Sequence, residues 1–137
     1  MGAVKTEITL VNIGDQNDAN RGYIPPEQVR RVKVNAVVDT GAWTLVLNEK
    51  TRQKLGLQVE EPGEAIVAGG GKVPSGLTEP VRIHWQDRRT TCEAVFLPDE
   101  EDVLLGAIPL EGLDLMVHPR TQKVIGAHGD KVRIVVK

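Results

Sequence analysis

"VNAVVDTGAWTLVLNEK", residues 34–50, sets an acid inside an otherwise apolar run. Val34, Ala36, Val37 and Val38 suit a buried strand, apolar and mostly β-branched. The run then ends on Asp39. A carboxylate at the end of an apolar strand is costly to desolvate. A structural aspartate after a strand ordinarily opens a turn or caps a helix. Here Ala42-Trp43-Thr44-Leu45-Val46-Leu47 follow, so the sequence is apolar on both sides of the acid. An acid between two buried strands is placed for chemistry rather than for a surface turn.

Outward from this stretch the chain reads as mostly β. Residues 4–12 alternate, with Val4, Thr6, Ile8 and Leu10 opposed to Lys5, Glu7 and Thr9, which predicts a half-buried strand. Residues 13–28 are polar and rich in Gly, Asn, Asp and Pro, and predict a long loop. Strands are predicted over 30–38 and 44–48. "EKTRQKLGL" predicts a short helix capped by Asn48 and stopped at Gly56. Residues 64–77 predict a hairpin with a mobile tip at Gly69-Gly70-Gly71. "TEPVRIHWQ" and "TTCEAVFLP" predict a strand pair across "QDRR". "VLLG", residues 103–106, predicts a short buried strand. "IPLEGLDLMV" predicts one or two helical turns, and "QKVIG" and "KVRIVVK" predict closing strands. Many short strands with Gly and Pro turns predict a closed or nearly closed barrel or sandwich.

The chain has 137 residues, the size of one domain, so residues 1–137 are expected to form a single domain. Its net charge of −2 argues against a nucleic-acid platform built on phosphate neutralisation. The aromatic residues are Tyr23, Trp43, Trp85 and Phe96, too few for a base-stacking surface. Cys92 is the sole cysteine, so no intrachain disulfide can form. No apolar run approaches a membrane span and the N-terminus does not read as a signal peptide, so the expected location is cytoplasmic.

Other motifs fail on spacing. A P-loop would need Gly and Ser or Thr where Ile66 and Val73 stand. A dinucleotide fingerprint would need Gly at Pro74. A calcium loop over "DQNDANRG" would need a ligand and a Gly where Ala19 and Asn20 stand. Ser75 lacks a nucleophile elbow. His84, His118 and His128 share no metal-ligand spacing.

"VVDTGA" resembles the active-site segment of the retropepsin-like aspartic proteases. Three further features stand in that family's order: "AIVAGGGKVPSG" where it carries a flap hairpin, "VLLG" beneath the catalytic loop, and "AIPLEGLDLMVHPRTQKVIG" as the following helix and strand. The resemblance covers roughly residues 30–126 and is nearer to bacterial and archaeal members than to viral ones. It implies an all-β fold, a closed acid-protease barrel with one or two short helices. A single Asp-Thr-Gly then implies a homodimer with one Asp39 from each subunit.

The resemblance also assigns roles. Asp39 matches the catalytic aspartate, Thr40 the residue that braces the two active-site loops, and Gly41 the position of close backbone approach. Ala42, Trp43, Ala68 and the tip glycines Gly69, Gly70 and Gly71 match substrate-binding positions. The partners implied are a peptide or protein substrate and a second copy of the chain, with no metal or cofactor, no nucleic acid and no membrane. Retroviral members carry an Asp where Trp43 stands and an Arg where Ala107 stands, and both are absent together here. Trp43 is expected either to line the cleft or to lie in the core. The expected activity is peptide-bond hydrolysis. The alternative is a non-catalytic module that uses the same fold for dimerisation or peptide binding.

Overall fold

The molecule, described by a computed structural model over residues 3–67 and 69–129, is built on one large sheet. The alternating N-terminus becomes β1 (Lys5–Asn12), antiparallel to β2 (Arg31–Val38), with Leu10 opposite Val32 and Ile8 opposite Val34. Both strands are half-buried rather than wholly buried. One face packs on the core, and the other presents Arg31, Lys33 and Asn35 to solvent.

β3 (Leu45–Leu47) is buried at every position. It lies between β8 (Ala94–Phe96), to which it is parallel, and β9 (Leu104–Leu105), to which it is antiparallel. β9 in turn runs parallel to β2. The apolar dipeptide "LL" is thus inserted between the strands that enter and leave the Asp-Thr-Gly turn.

Beyond β8 comes the hairpin of β4 (Val59–Ile66) and β5 (Lys72–Thr78). Beyond β1 come β6 (Val81–Trp85) and β7 (Arg88–Cys92). The expected barrel is not closed among the described residues, because β4 and β7 lie at opposite ends of the sheet and do not pair. The β4–β5 hairpin leaves the body, with only Gly76 and Leu77 of β5 pairing with β8. At the other end, Arg88 ties β7 to a separate unit. Its buried guanidinium, 1% exposed, donates to the carbonyls of Leu113, Asp114 and Gly129.

That unit consists of α3 (Ala107–Gly112) and the pair β10 (Leu115–Val117) and β11 (Val124–Gly126). "QKVIG" thus contributes a strand, whereas "KVRIVVK" lies outside the described residues.

Two further expectations needed correction. Residues 13–28 are not simply a loop. They hold the helix α1 (Ile13–Asn20) and a 3-10 turn at Pro26–Gln28. No residue of α1 is buried, so no apolar stripe marked it. Asn12 begins it by accepting from the Asp15 amide at 2.9 Å, while its Nδ2 donates to Leu55 O at 2.8 Å. "TTCEAVFLP" is not one strand. It breaks at Glu93, whose carbonyl accepts from Thr44 Oγ1 at 2.7 Å, and β8 joins β3 instead.

The predicted helix forms as α2 (Glu49–Leu55). Asn48 caps it, and Gly56 ends it in the left-handed conformation at φ 65°. Its Leu55 joins Ile8, Leu10, Leu45, Leu47, Ile83, Ala94 and Leu105 in the core.

Candidate active site

The Asp-Thr-Gly turn is held from below. β2 delivers Asp39 to the end of the sheet, where its amide donates to Leu105 O at 3.0 Å. Ala42 N donates back to Asp39 O at 3.1 Å, closing the turn. Gly41 N donates to Asp39 Oδ1 at 2.9 Å, which orients the carboxylate. The carboxylate makes no other hydrogen bond among the described residues, so Oδ2 is free to engage a ligand. Asp39 is half-buried, and Thr40 and Gly41 are exposed.

The segment after β9 locks this turn in place. Ala107 N donates to Ala42 O at 2.8 Å and Ile108 N to Trp43 O at 2.9 Å. Gly106 lies so close beneath the turn that a Cβ would collide with the carbonyl oxygens of Thr44 and Ala42. Any side chain here would push the two segments apart. The glycine of "VLLG" is therefore required by backbone contact.

Trp43 does not join the core. Its ring is 58% exposed and forms one wall of a cleft of about 460 Å³. The hairpin arms form the other wall, chiefly Glu61, Ala65, Ile66, Ser75 and Leu77, and Val95 is also in contact. Asp39 does not line this cleft. In β4 and β5, Glu61 stands opposite Leu77 and Ala65 opposite Val73. Residues directly opposite share a face. Glu61, Ile66, Leu77 and Val95 were not recognised as lining residues in the sequence. Alternation in the hairpin arms marks a face but not what that face meets.

At the hairpin tip, Gly69 and Gly70 have φ of 92° and 84°, where residues with a Cβ are strained. The turn is closed by Val67 N to Gly71 O at 2.9 Å and Gly70 N to Val67 O at 3.0 Å. A Cβ on Gly69 or Gly70 would meet nothing within 4 Å, so the tip stands clear of the body. Ile66 beside it is 76% exposed. Ala68 lies outside the described residues.

Cys92 packs against the core, and burial pushes its thiol above the usual value. Among the described residues no group of His, Cys, Asp and Glu is arranged to hold a metal. Nor is any described helix long and apolar enough to cross a membrane.

Comparison with solved structures places this arrangement in a known fold. The chain is similar to the protease of EIAV in complex with the inhibitor HBY-793, with TM-score 0.56 and 23% identity over 80% of this chain and 86% of that one. It is also similar to the retroviral protease-like domain of Ddi1 from Leishmania major, with TM-score 0.61 and 17% identity over 91% and 88%. A retropepsin-like aspartic protease from Rickettsia conorii matches at TM-score 0.49 and 21% identity over 64% and 68%. No curated protein matches the sequence. The model of the family described as gag-polyprotein putative aspartyl protease matches residues 27–111, more than half the chain. With the oriented Asp39, the glycine-tipped hairpin and Gly106 beneath the turn, that match makes this chain a member of the retropepsin-like aspartic proteases.

Proposed function

We propose that the chain, acting as one domain over residues 1–137, is an aspartic endopeptidase whose active site forms between two copies. The observation that carries this reading is the bond from Gly41 N to Asp39 Oδ1, which leaves Oδ2 available at an exposed turn. One chain supplies one such carboxylate, and the chemistry needs two. Paired across a two-fold axis at about 3 Å, two carboxylates share a single proton. The ionised one takes a proton from a bound water, and the neutral one donates to the scissile carbonyl. The water oxygen bonds to the carbonyl carbon, and proton transfer to the amide nitrogen then releases the two peptide halves.

In this reading Thr40 braces one turn against its two-fold mate. Gly41 and Ala42 lie beside the peptide backbone, Trp43 receives a substrate side chain, and Ala68 to Gly71 close over the peptide. The N-terminal strand β1 is paired on both sides over Thr9–Val11. That half of β1 has no edge left for a second copy.

Asp39→Asn tests the mechanism, because it removes a proton-sharing oxygen at nearly constant volume. Incubation with a mixed peptide library should give cleavage by the parent and none by the variant, with unchanged circular dichroism. Specific activity of the parent should fall on dilution into the dissociation range of the dimer. A dimeric parent that binds peptides and cleaves none would establish the non-catalytic reading instead.

A further inference from the structure

We propose that the outer face of β2, β1, β6 and β7 is a docking surface for an acidic, extended stretch of another protein. Strand register assembles this face. Arg31 stands opposite Val11, and Val11 opposite Arg82. Lys33 stands opposite Thr9, Thr9 opposite His84, and His84 opposite Arg89. Opposed residues share a face, and so do alternate residues along a strand. Arg31, Lys33, Arg82, His84 and Arg89 therefore stand together, away from the core-facing Val32, Leu10 and Ile83.

The face is not neutralised from within. Its acid is Glu7, 3.8 Å from Lys33 Nζ, with both side chains largely in solvent. Among the described residues Arg31, Arg82 and Arg89 have no carboxylate partner. Arg82 Nε is shielded from water and makes no hydrogen bond. The His84 imidazole is held below its usual value by burial first, then by the charges of Arg82, Arg89 and Arg31. The three guanidiniums therefore lie near enough to act together on the His84 ring. The chain as a whole carries −2, so the patch reflects segregation of charge rather than composition.

Charge complementarity calls for an anionic occupant, and the geometry favours a peptide. The two cationic rows lie two residues apart along the strands, about 7 Å. Alternate side chains of an extended peptide repeat at that same distance. A segment lying along the strands with an acid at every second position can set one carboxylate against each row. The face offers no Phe, Tyr or Trp ring for stacking bases, since Trp85 points inward at 8% exposure.

Fluorescence anisotropy with a labelled ten-residue peptide of alternating Glu and Ser tests this, and it reads binding independently of hydrolysis. The parent protein should bind saturably, and more tightly at low salt. R31Q/R82Q/R89Q should weaken binding by about tenfold, as expected for the loss of two exposed charge pairs and one half-buried one. K72Q/R120Q/K123Q, with the same change in net charge, should bind like the parent. If the first variant does not fold by circular dichroism, R31Q/R89Q, which alters only exposed side chains, should still show a loss of about threefold. No saturable binding by the parent, an equal loss in the control, or tighter binding of a single-stranded oligonucleotide of equal charge would overturn the proposal.

Discussion

The amide of Ala107 donates to the carbonyl of Ala42 at 2.8 Å, which joins the start of α3 to the turn that carries Asp39. Gly106 precedes that bond and has no room for a side chain. Gly106→Ala should therefore destabilise the protein by about 1–3 kcal/mol, the cost of overpacking a close contact. Urea denaturation measures this directly. Gly63→Ala, at a position where a Cβ would meet nothing within 4 Å, should cost far less. Peptide hydrolysis should fall more in the first variant than its stability alone explains, because Asp39 is displaced.

Trp43 is exposed, so its removal should affect binding rather than folding. Trp43→Ala should leave the denaturation midpoint nearly unchanged, not lower stability by the roughly 3–5 kcal/mol of a core aromatic. Affinity for peptides with apolar side chains should drop by about 1–3 kcal/mol. Because Ile108 N reaches Trp43 O and Ala107 N reaches Ala42 O, positions 43 and 107 are neighbours. Trp43→Asp and Ala107→Arg should show favourable coupling of about 0.5 kcal/mol or more in a double-mutant cycle. Strict additivity would mean the two side chains diverge.

The hairpin tip depends on backbone conformations that glycine reaches at little cost. Gly70→Val places a β-branched residue at φ 84°, which costs about 1–3 kcal/mol locally. Turnover should fall, and global stability should drop by no more than that local strain, since a side chain at Gly70 meets nothing within 4 Å. Hydrogen exchange at residues 66–72 should slow when a peptide inhibitor is bound, as expected of a closing lid. Equal exchange with and without inhibitor would rule out closure.

Asp15 and Arg30 join α1 to the start of β2. Arg30 Nε reaches Asp15 Oδ2 at 2.7 Å and Nη2 reaches Oδ1 at 2.9 Å. The hydrogen bond from Arg30 holds the Asp15 carboxyl below its ordinary 3.8. The unfolded chain therefore takes the proton first as pH falls. The stabilisation is complete above the ordinary value and is lost as pH drops through the lower, folded one. Asp15→Asn should remove this slope from a plot of stability against pH below about 4. At neutral pH it should cost less than about 1 kcal/mol, because Arg30 is half exposed and its charge is screened. An unchanged acid slope would mean the pair does not persist in solution.

Local signals in the sequence placed most elements and marked the central turn. Asn48 and Gly56 bracket α2 because a side-chain cap and a left-handed stop act within a few residues. Gly69 and Gly70 mark the hairpin tip, and "VVDTGA" with "VLLG" marks the family, because backbone contacts at the turn admit few residue types. Helix α1 was hidden because a helix that buries nothing carries no periodic apolar signal.

The relations between distant strands came from long-range packing. Strand alternation says which residues share a face, not which strand pairs with which. Parallel insertion of β9 beside β2 put Gly106 under Ala42. The break at Glu93 sent β8 to β3, and among the described residues the sheet stays open. Packing of the hairpin arms left Trp43 lining a cleft instead of a core. Cross-strand register gathered Arg31, Arg82 and Arg89, more than fifty residues apart at the extremes, onto one face. These outcomes depend on long-range pairing, where closure entropy and burial compete over the whole chain, and no local stretch carries that balance.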